Sequence, residues 1–303
     1  MPARSPVRDP APGAPAVSIG MPVYNSAAWI EDAIASILGQ SHGDLELIIS
    51  DNASTDGTFA ICERYARADS RVRLLRNPRN LGANRNYLAV LHAARGTYFK
   101  WASSNDICAR TFIERCVAAL ANDPAAVLAC PRTWLFEESI ETARPYDRDI
   151  EIAASQPAVR FVSLLNGLAL NNVFNGLMRR SALTEVAAMG SHMAADVALM
   201  AELALKGRFV LVDERLFYRR MSPETATKLK SAREVDQHLV PHARKPLRWQ
   251  YWRFHLALLR AAVRSAPAGR AWFEATSYAL RAMLWSRHDL ARDIRSAMQR
   301  TAW

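Results

Sequence analysis

Along the first half of the chain, short apolar runs alternate with stretches whose apolar positions recur at helical spacing. Val17–Val23, Leu45–Ser50, Val72–Leu75, Thr97–Trp101 and Ala126–Cys130 read as strands; Ser26–Leu38, Thr58–Ala68, Ala83–Ala94 and Thr111–Ala121 read as helices. In Ser26–Leu38 the residues Ile30, Ala33, Ile34 and Ile37 share one face. Strands and helices alternating through connections this short predict right-handed crossovers, hence a doubly wound, mainly parallel α/β sheet flanked by helices. The second half is less regular. Val159–Leu165 reads as helix, Leu170–Met178 as extended chain, Ala194–Leu205 as an amphipathic helix, and Phe209–Val212 with Leu216–Arg219 as a strand pair. Beyond Pro246 the pattern predicts three helices, broken at Pro267 and near Ser286–His288, and no internal repeat is visible.

Composition adds exclusions. Of 303 residues, 50% are hydrophobic and 22% charged, which is globular. No stretch reaches the roughly 18 apolar residues of a spanning helix. Cys62, Cys108, Cys116 and Cys130 form no C-x-x-C pair, so they predict reduced thiols in a cytosolic compartment, with neither a disulfide framework nor a zinc site. Residues 1–15 hold five Pro and lack the apolar core of a signal peptide; they read as a disordered lead-in and argue against secretion. The formal charge of +10 is concentrated: residues 244–303 carry 12 Lys+Arg against 3 Asp+Glu, a net of +9, with five of the eight Trp. The chain reads as a nearly neutral body carrying a basic, Trp-rich tail.

In a doubly wound sheet, ligands bind beyond the carboxyl ends of the strands. There is no G-x-G-x-x-G or P-loop motif there. The first strand ends in Pro22-Val23-Tyr24-Asn25, where Asn25 or Ser26 can cap a helix and Tyr24 offers a flat face. The second ends in Asp51-Asn52-Ala53-Ser54-Thr55-Asp56-Gly57: Asp51 can accept hydrogen bonds from a base or ribose, and Asp56 can cap the next helix. The fourth ends in Lys100-Trp101-Ala102-Ser103-Ser104-Asn105-Asp106, where a carboxylate could meet a divalent metal and a diphosphate.

Together these loops resemble the family-2 glycosyltransferases, which have the GT-A fold. The resemblance rests on Val17–Asn25, the Asp51–Thr58 turn, Asn80-Leu81-Gly82 with Arg85-Asn86, Ala94–Trp101, Asn175–Arg180, Asp196 with Leu199 and Leu203–Phe209, and Leu216–Arg220. It spans residues 16–225 in family order, leaving 226–303 as a C-terminal helical extension. It implies transfer of a sugar from a nucleotide diphosphate sugar to an acceptor hydroxyl, with inversion. It also implies that Pro22, Tyr24, Asn25, Asp51, Arg85, Ser104 and Asn105 bind the donor and that Asp196 is the base. The chain departs from the family at Ala195, where an acidic residue is usual, at Ser103-Ser104-Asn105, where Asp-x-Asp is usual, and at Ser222, where His is frequent. Three outcomes follow: Asp106 holds Mg²⁺ or Mn²⁺ with the diphosphate and water, Lys100 or an Arg neutralises the leaving group without metal, or the site is degenerate. The last corresponds to a catalytically silent sugar-nucleotide binder or membrane-associated scaffold. Asp196 can otherwise cap its own helix, His192 reads as structural, and Asn171-Asn172 either touch the acceptor or satisfy backbone groups.

In the tail, Trp252, Leu256 and Leu259, and then Phe273, Leu280, Leu284 and Trp285, recur at helical spacing among Arg residues. Such helices either pack on the body with a solvated Arg face or lie against anionic lipid. The second reading suits a lipid-linked or other saccharide acceptor at the inner face of a membrane. Basic charge alone permits nucleic acid, but no motif supports it, so no nucleic-acid partner is expected.

Overall fold

The computed structural model of the chain describes residues 13–186, 189–222, 232–241 and 247–299. Most of the expected lead-in, and the expected boundary at 225/226, lie outside them. Within the described residues one nine-stranded sheet runs through the molecule. Its strands are β1 (Val17–Val23), β2 (Leu45–Asp51), β3 (Val72–Arg76), β4 (Tyr98–Trp101), β5 (Ile107–Cys108), β6 (Ala126–Phe136), β7 (Arg144–Tyr146), β8 (Leu177–Arg179) and β9 (Arg208–Arg220). The order is β3-β2-β1-β4-β8-β6-β9-β5, with β7 on the far part of β6. β1 to β4 pair in parallel. β8 then enters antiparallel between β4 and β6, and β6 and β9 pair in parallel again. The sheet is therefore mixed, with the expected parallel winding confined to its first half and to one later pair.

One face is covered by α1 (Ile30–Leu38), α2 (Thr58–Ala68) and α4 (Phe112–Asn122), the other by α3 (Ala83–Ala93), α5 (Pro157–Gly167) and α7 (Ala195–Lys206). Period-two alternation sorts β1 between them. Val17, Ile19, Met21 and Val23 face the α1 side, while a Cβ on Gly20 would stand 2.6 Å from Val90 of α3, so only glycine admits that helix. The remaining helices are α6 (Arg180–Glu185), α8 (Ala232–Leu239), α9 (Gln250–Ser265), α10 (Arg270–Trp285) and α11 (Arg287–Gln299). The last three break where Pro267 and Ser286 predict.

The tail packs on the body. Leu258 and Ala262 of α9 and Tyr278 of α10 join the core of α5 and α7, with Tyr278 edge-on to Phe161 at 6.3 Å. Buried Glu202 of α7 accepts hydrogen bonds from Arg264 and from Ser265 Oγ, tying α7 to α9. No helix among the described residues is long and apolar enough to cross a membrane.

Several elements depart from expectation for tertiary reasons. α1 starts at Ile30, not Ser26, because the N–H groups of Ser26 and Ala27 are held by Thr58 Oγ1 (2.7 Å) and Asp56 (3.1 Å) of the neighbouring loop. Neither Asn25 nor Ser26 caps it. β6 runs six residues beyond Cys130 because β9 pairs with it throughout, and the expected strand pair is that single bulged strand β9. Leu170–Met178 is a 3-10 turn (Asn172–Asn175) followed by the short β8. α7 is buried over nine of its twelve residues, so it is not amphipathic.

Candidate active site

The carboxyl ends of β1, β2 and β4 meet as the winding requires. Pairing of β4 with β1 stops at Gly20–Trp101, so Pro22, which has no N–H to give, lies where β4 has already turned away. The next two residues differ sharply: Tyr24 is 46% exposed, while Asn25 adopts a left-handed φ of 49°. Asn25 stitches the first two loops together, donating its N–H to Ser54 Oγ (3.0 Å) and accepting from the Thr55 N–H (2.9 Å).

Asp51 has no exposed surface. Its carboxylate takes long hydrogen bonds from the Ser54 N–H (3.2 and 3.3 Å) and an ion pair at 3.6 Å from Arg76, whose guanidinium covers the Phe59 ring at 3.9 Å. Asp56 accepts from the N–H of Thr58, the first residue of α2, and from Ala27. Four asparagines, Asn52, Asn77, Asn80 and Asn86, whose mutual bonding the sequence did not reveal, lock this end of the sheet. Asn52 bonds Asn80, Leu81 and Asn77; Asn86 bonds Ser50, Asn77 and the Val23 carbonyl. The density of Asn between 77 and 86 was the available signal. Arg85 stands exposed on the first turn of α3, and among the described residues no hydrogen bond or ion pair ties it to this group.

After β4, Ser104 donates to Ser26 Oγ (2.8 Å), and the Asn105 carbonyl accepts from Arg220 (3.1 Å). Asp106 is 8% exposed and accepts the Arg220 N–H (2.9 Å). Burial pushes its carboxyl upward, against the opposing pull of Arg219, the Arg220 N–H, Ser103 and Lys100. Tyr87 of α3, which sequence reading passed over, lies beside this turn, near enough to feel the charge of Asp196. Its hydroxyl bonds Ser103, and burial with the nearby charges of Asp106 and Asp196 pushes it up to about 12. Lys100 does not reach a leaving group: its ammonium is wholly buried on the Trp101 and Asn175 carbonyls and above Phe112.

Asp196 is the second residue of α7, entered through Ala194 at a left-handed φ of 53°. It makes no capping bond, so the cap reading fails. Instead Asn171 Nδ2 donates to its Oδ2 at 2.8 Å, and Asn171 Oδ1 is buried without a partner among the described residues. Asn172 takes the other direction, bonding Asp149 (2.8 Å) and Thr133 and accepting from Arg219 at 2.6 Å. His192 turns its ring nitrogen to the Met193 carbonyl. Ser222 bonds the Glu137 carbonyl.

Divalent cations select carboxylate oxygens. Here Ser103, Ser104 and Asn105 replace them, and Asp106 is buried under a backbone N–H beside the charges of Arg219 and Arg220. No group of three His, Cys, Asp or Glu converges among the described residues. These side chains do not fit a metal held by the protein.

Residues 18–187, more than half of the chain, match the model of glycosyl transferase family 2. The chain belongs to that family. EpsH of Bacillus subtilis (strain 168), provisionally named a glycosyltransferase, is 30% identical over 170 residues, covering 55% of this chain and 48% of EpsH. The match thus spans about half the length of that relative. Among solved structures, S. aureus TarS in complex with UDP-GlcNAc superposes with a TM-score of 0.63 at 17% identity, covering 90% of this chain and 74% of that one. A mannosyltransferase of Pyrobaculum calidifontis in complex with GDP-Man and Mn²⁺ gives 0.54 at 17%, covering 98% and 83%. Likeness at this identity speaks to fold, and the fold is the GT-A-like one expected for family 2.

Proposed function

We propose that this family-2 protein moves a sugar from a nucleotide diphosphate sugar to an acceptor hydroxyl with inversion. The observation that carries the reading is Asp196, half-buried at the start of α7 and held by Asn171 beside the Tyr87–Asp106 cluster. Pro22, Tyr24, Asn25 and Asp51 flank the base and ribose, with Arg85, Ser104 and Asn105 toward the sugar and diphosphate. An N–H of the base would replace the long bonds that Ser54 makes to Asp51. Asp196 takes the proton of the acceptor hydroxyl as its oxygen attacks the anomeric carbon. The bond from that carbon to the diphosphate oxygen breaks, and the nucleoside diphosphate leaves with the electron pair.

A cation must face the departing diphosphate. Because the donor set does not fit a resident Mg²⁺ or Mn²⁺, we assign that charge to Arg219, which Asn172 holds beside Asp106. The acceptor in this reading is a saccharide, free or lipid-linked, and the enzyme works on the cytosolic side of a membrane that it touches through residues 244–303.

Transfer assays with UDP-, GDP- and dTDP-sugars, with and without EDTA, test the reading. Asp196→Asn is expected to keep donor binding and lose turnover by roughly 10²–10⁴-fold, the usual weight of a general base. Arg219→Ala is expected to lose turnover as well, and EDTA to leave the wild type unchanged. Unchanged turnover in Asp196→Asn would sink the base assignment, and a loss in EDTA that Mn²⁺ restores would sink that of Arg219.

A further inference from the structure

α10 is bound on one side and bare on the other. Ala275, Tyr278 and Ala279 are buried against the body, while Phe273 (67%), Leu280 (48%) and Leu284 (65%) are exposed. Their spacings of seven and four residues put them on one stripe of the helix, about 16 Å long at 1.5 Å per residue. Trp285, 61% exposed, closes the helix beside the stripe with its ring edge-on to Tyr278 at 5.5 Å; Arg281 follows Leu280, and Arg287 opens α11. Neither Arg has a carboxylate partner among the described residues, and the surrounding segment 244–303 has a net charge of +9. Eight of the eleven large apolar side chains exposed among the described residues lie at position 249 or beyond, so exposure is a property of this region.

We propose that this outer face of α10 docks on an anionic lipid bilayer. Aromatic and aliphatic side chains sink into the boundary between headgroups and acyl chains while Arg meets lipid phosphate. Charge complementarity selects that occupant over a second copy, since two copies would bring two regions of net +9 together. Packing on the body and docking on lipid are then two faces of one helix. The inference deepens the membrane part of the proposed function and does not depend on the transfer chemistry.

The full chain is tested by flotation with vesicles of equal parts phosphatidylglycerol and phosphatidylcholine, against vesicles of phosphatidylcholine alone. Binding is expected to the anionic vesicles and to weaken in high salt. Arg281→Gln with Arg287→Gln should weaken it on the order of tenfold or more, as loss of two basic contacts with an anionic surface implies. Phe273→Glu with Leu284→Glu should abolish it with no change in melting temperature or donor binding. Equal affinity for both vesicles, or full binding by the Glu pair, overturns the proposal. So does a wild-type dimer that the Glu pair dissolves while vesicles stay unbound, which would make the occupant a second copy. Bound vesicles with no sugar transfer would instead count against the transfer reading alone.

Discussion

Glu46 sits at the end of the sheet opposite the candidate site, 3% exposed, where it accepts from Ser18 Oγ, from Arg73 at 2.7 Å and from both the backbone and guanidinium of Arg95. Burial alone would raise its carboxyl, yet the four sets of hydrogen bonds hold it below the ordinary value of 4.5. A depressed native value means the ionised form stabilises the fold above that ordinary value, and the contribution fades as pH falls through the native one. Glu46→Gln is therefore expected to cost about 2 kcal/mol at neutral pH, as for a broken buried charge-assisted bond. Urea titrations at a series of pH values should also show the variant losing less stability than the wild type in acid. Single residues were unevenly legible. Asp51, Asp106 and Asp196 stood out as carboxylates at or beside the ends of elements in a recognisable order. Tyr87 did not, and the partners of Asn52, Asn86 and Asn171 were not legible, because they lie 9 to 109 positions away in sequence and nothing local marks them.

Elements followed the pattern where local periodicity and burial agreed. α2 and β1 match their expected limits: β1 is buried at all seven positions between the two helix layers, and α2 buries Thr58 and Cys62, four positions apart on one face. α7 and β9 did not, because each is enclosed by elements distant in sequence: α7 by α5 and α9, β9 by β6. Close approach between elements is also set by single positions. Gly82 begins α3 at a φ of +87°, and a Cβ there would stand 2.1 Å from the Leu239 carbonyl oxygen of α8. Gly82→Ala is expected to cost about 2 kcal/mol or more, combining backbone strain with that clash. A lowered melting temperature, with faster amide exchange over residues 232–241, would register it.

For the whole molecule, the question is how the basic tail joins the body. Glu202 is 2% exposed and holds Arg264 and Ser265 across the α7–α9 contact. Glu202→Ala is expected to lower stability by about 2–3 kcal/mol, as for a buried charged group stripped from its partners. Calorimetry should show one transition in the wild type, since a core shared by α5, α7, α9 and α10 couples the tail to the sheet. The sequence by itself determined the alternation that winds β1 to β4, the family motifs at their carboxyl ends, and the placement of nine charge units in the last fifth of the chain. Those are local properties of order, period and composition. Tertiary structure alone decided that Lys100 turns away from the site, that Asp106 is buried beneath the Arg220 N–H, and that Asn171 holds Asp196. It also decided that the aromatic tail divides into a packed face and a bare one. Each of these depends on which distant surface a side chain meets, and a linear pattern carries no record of that.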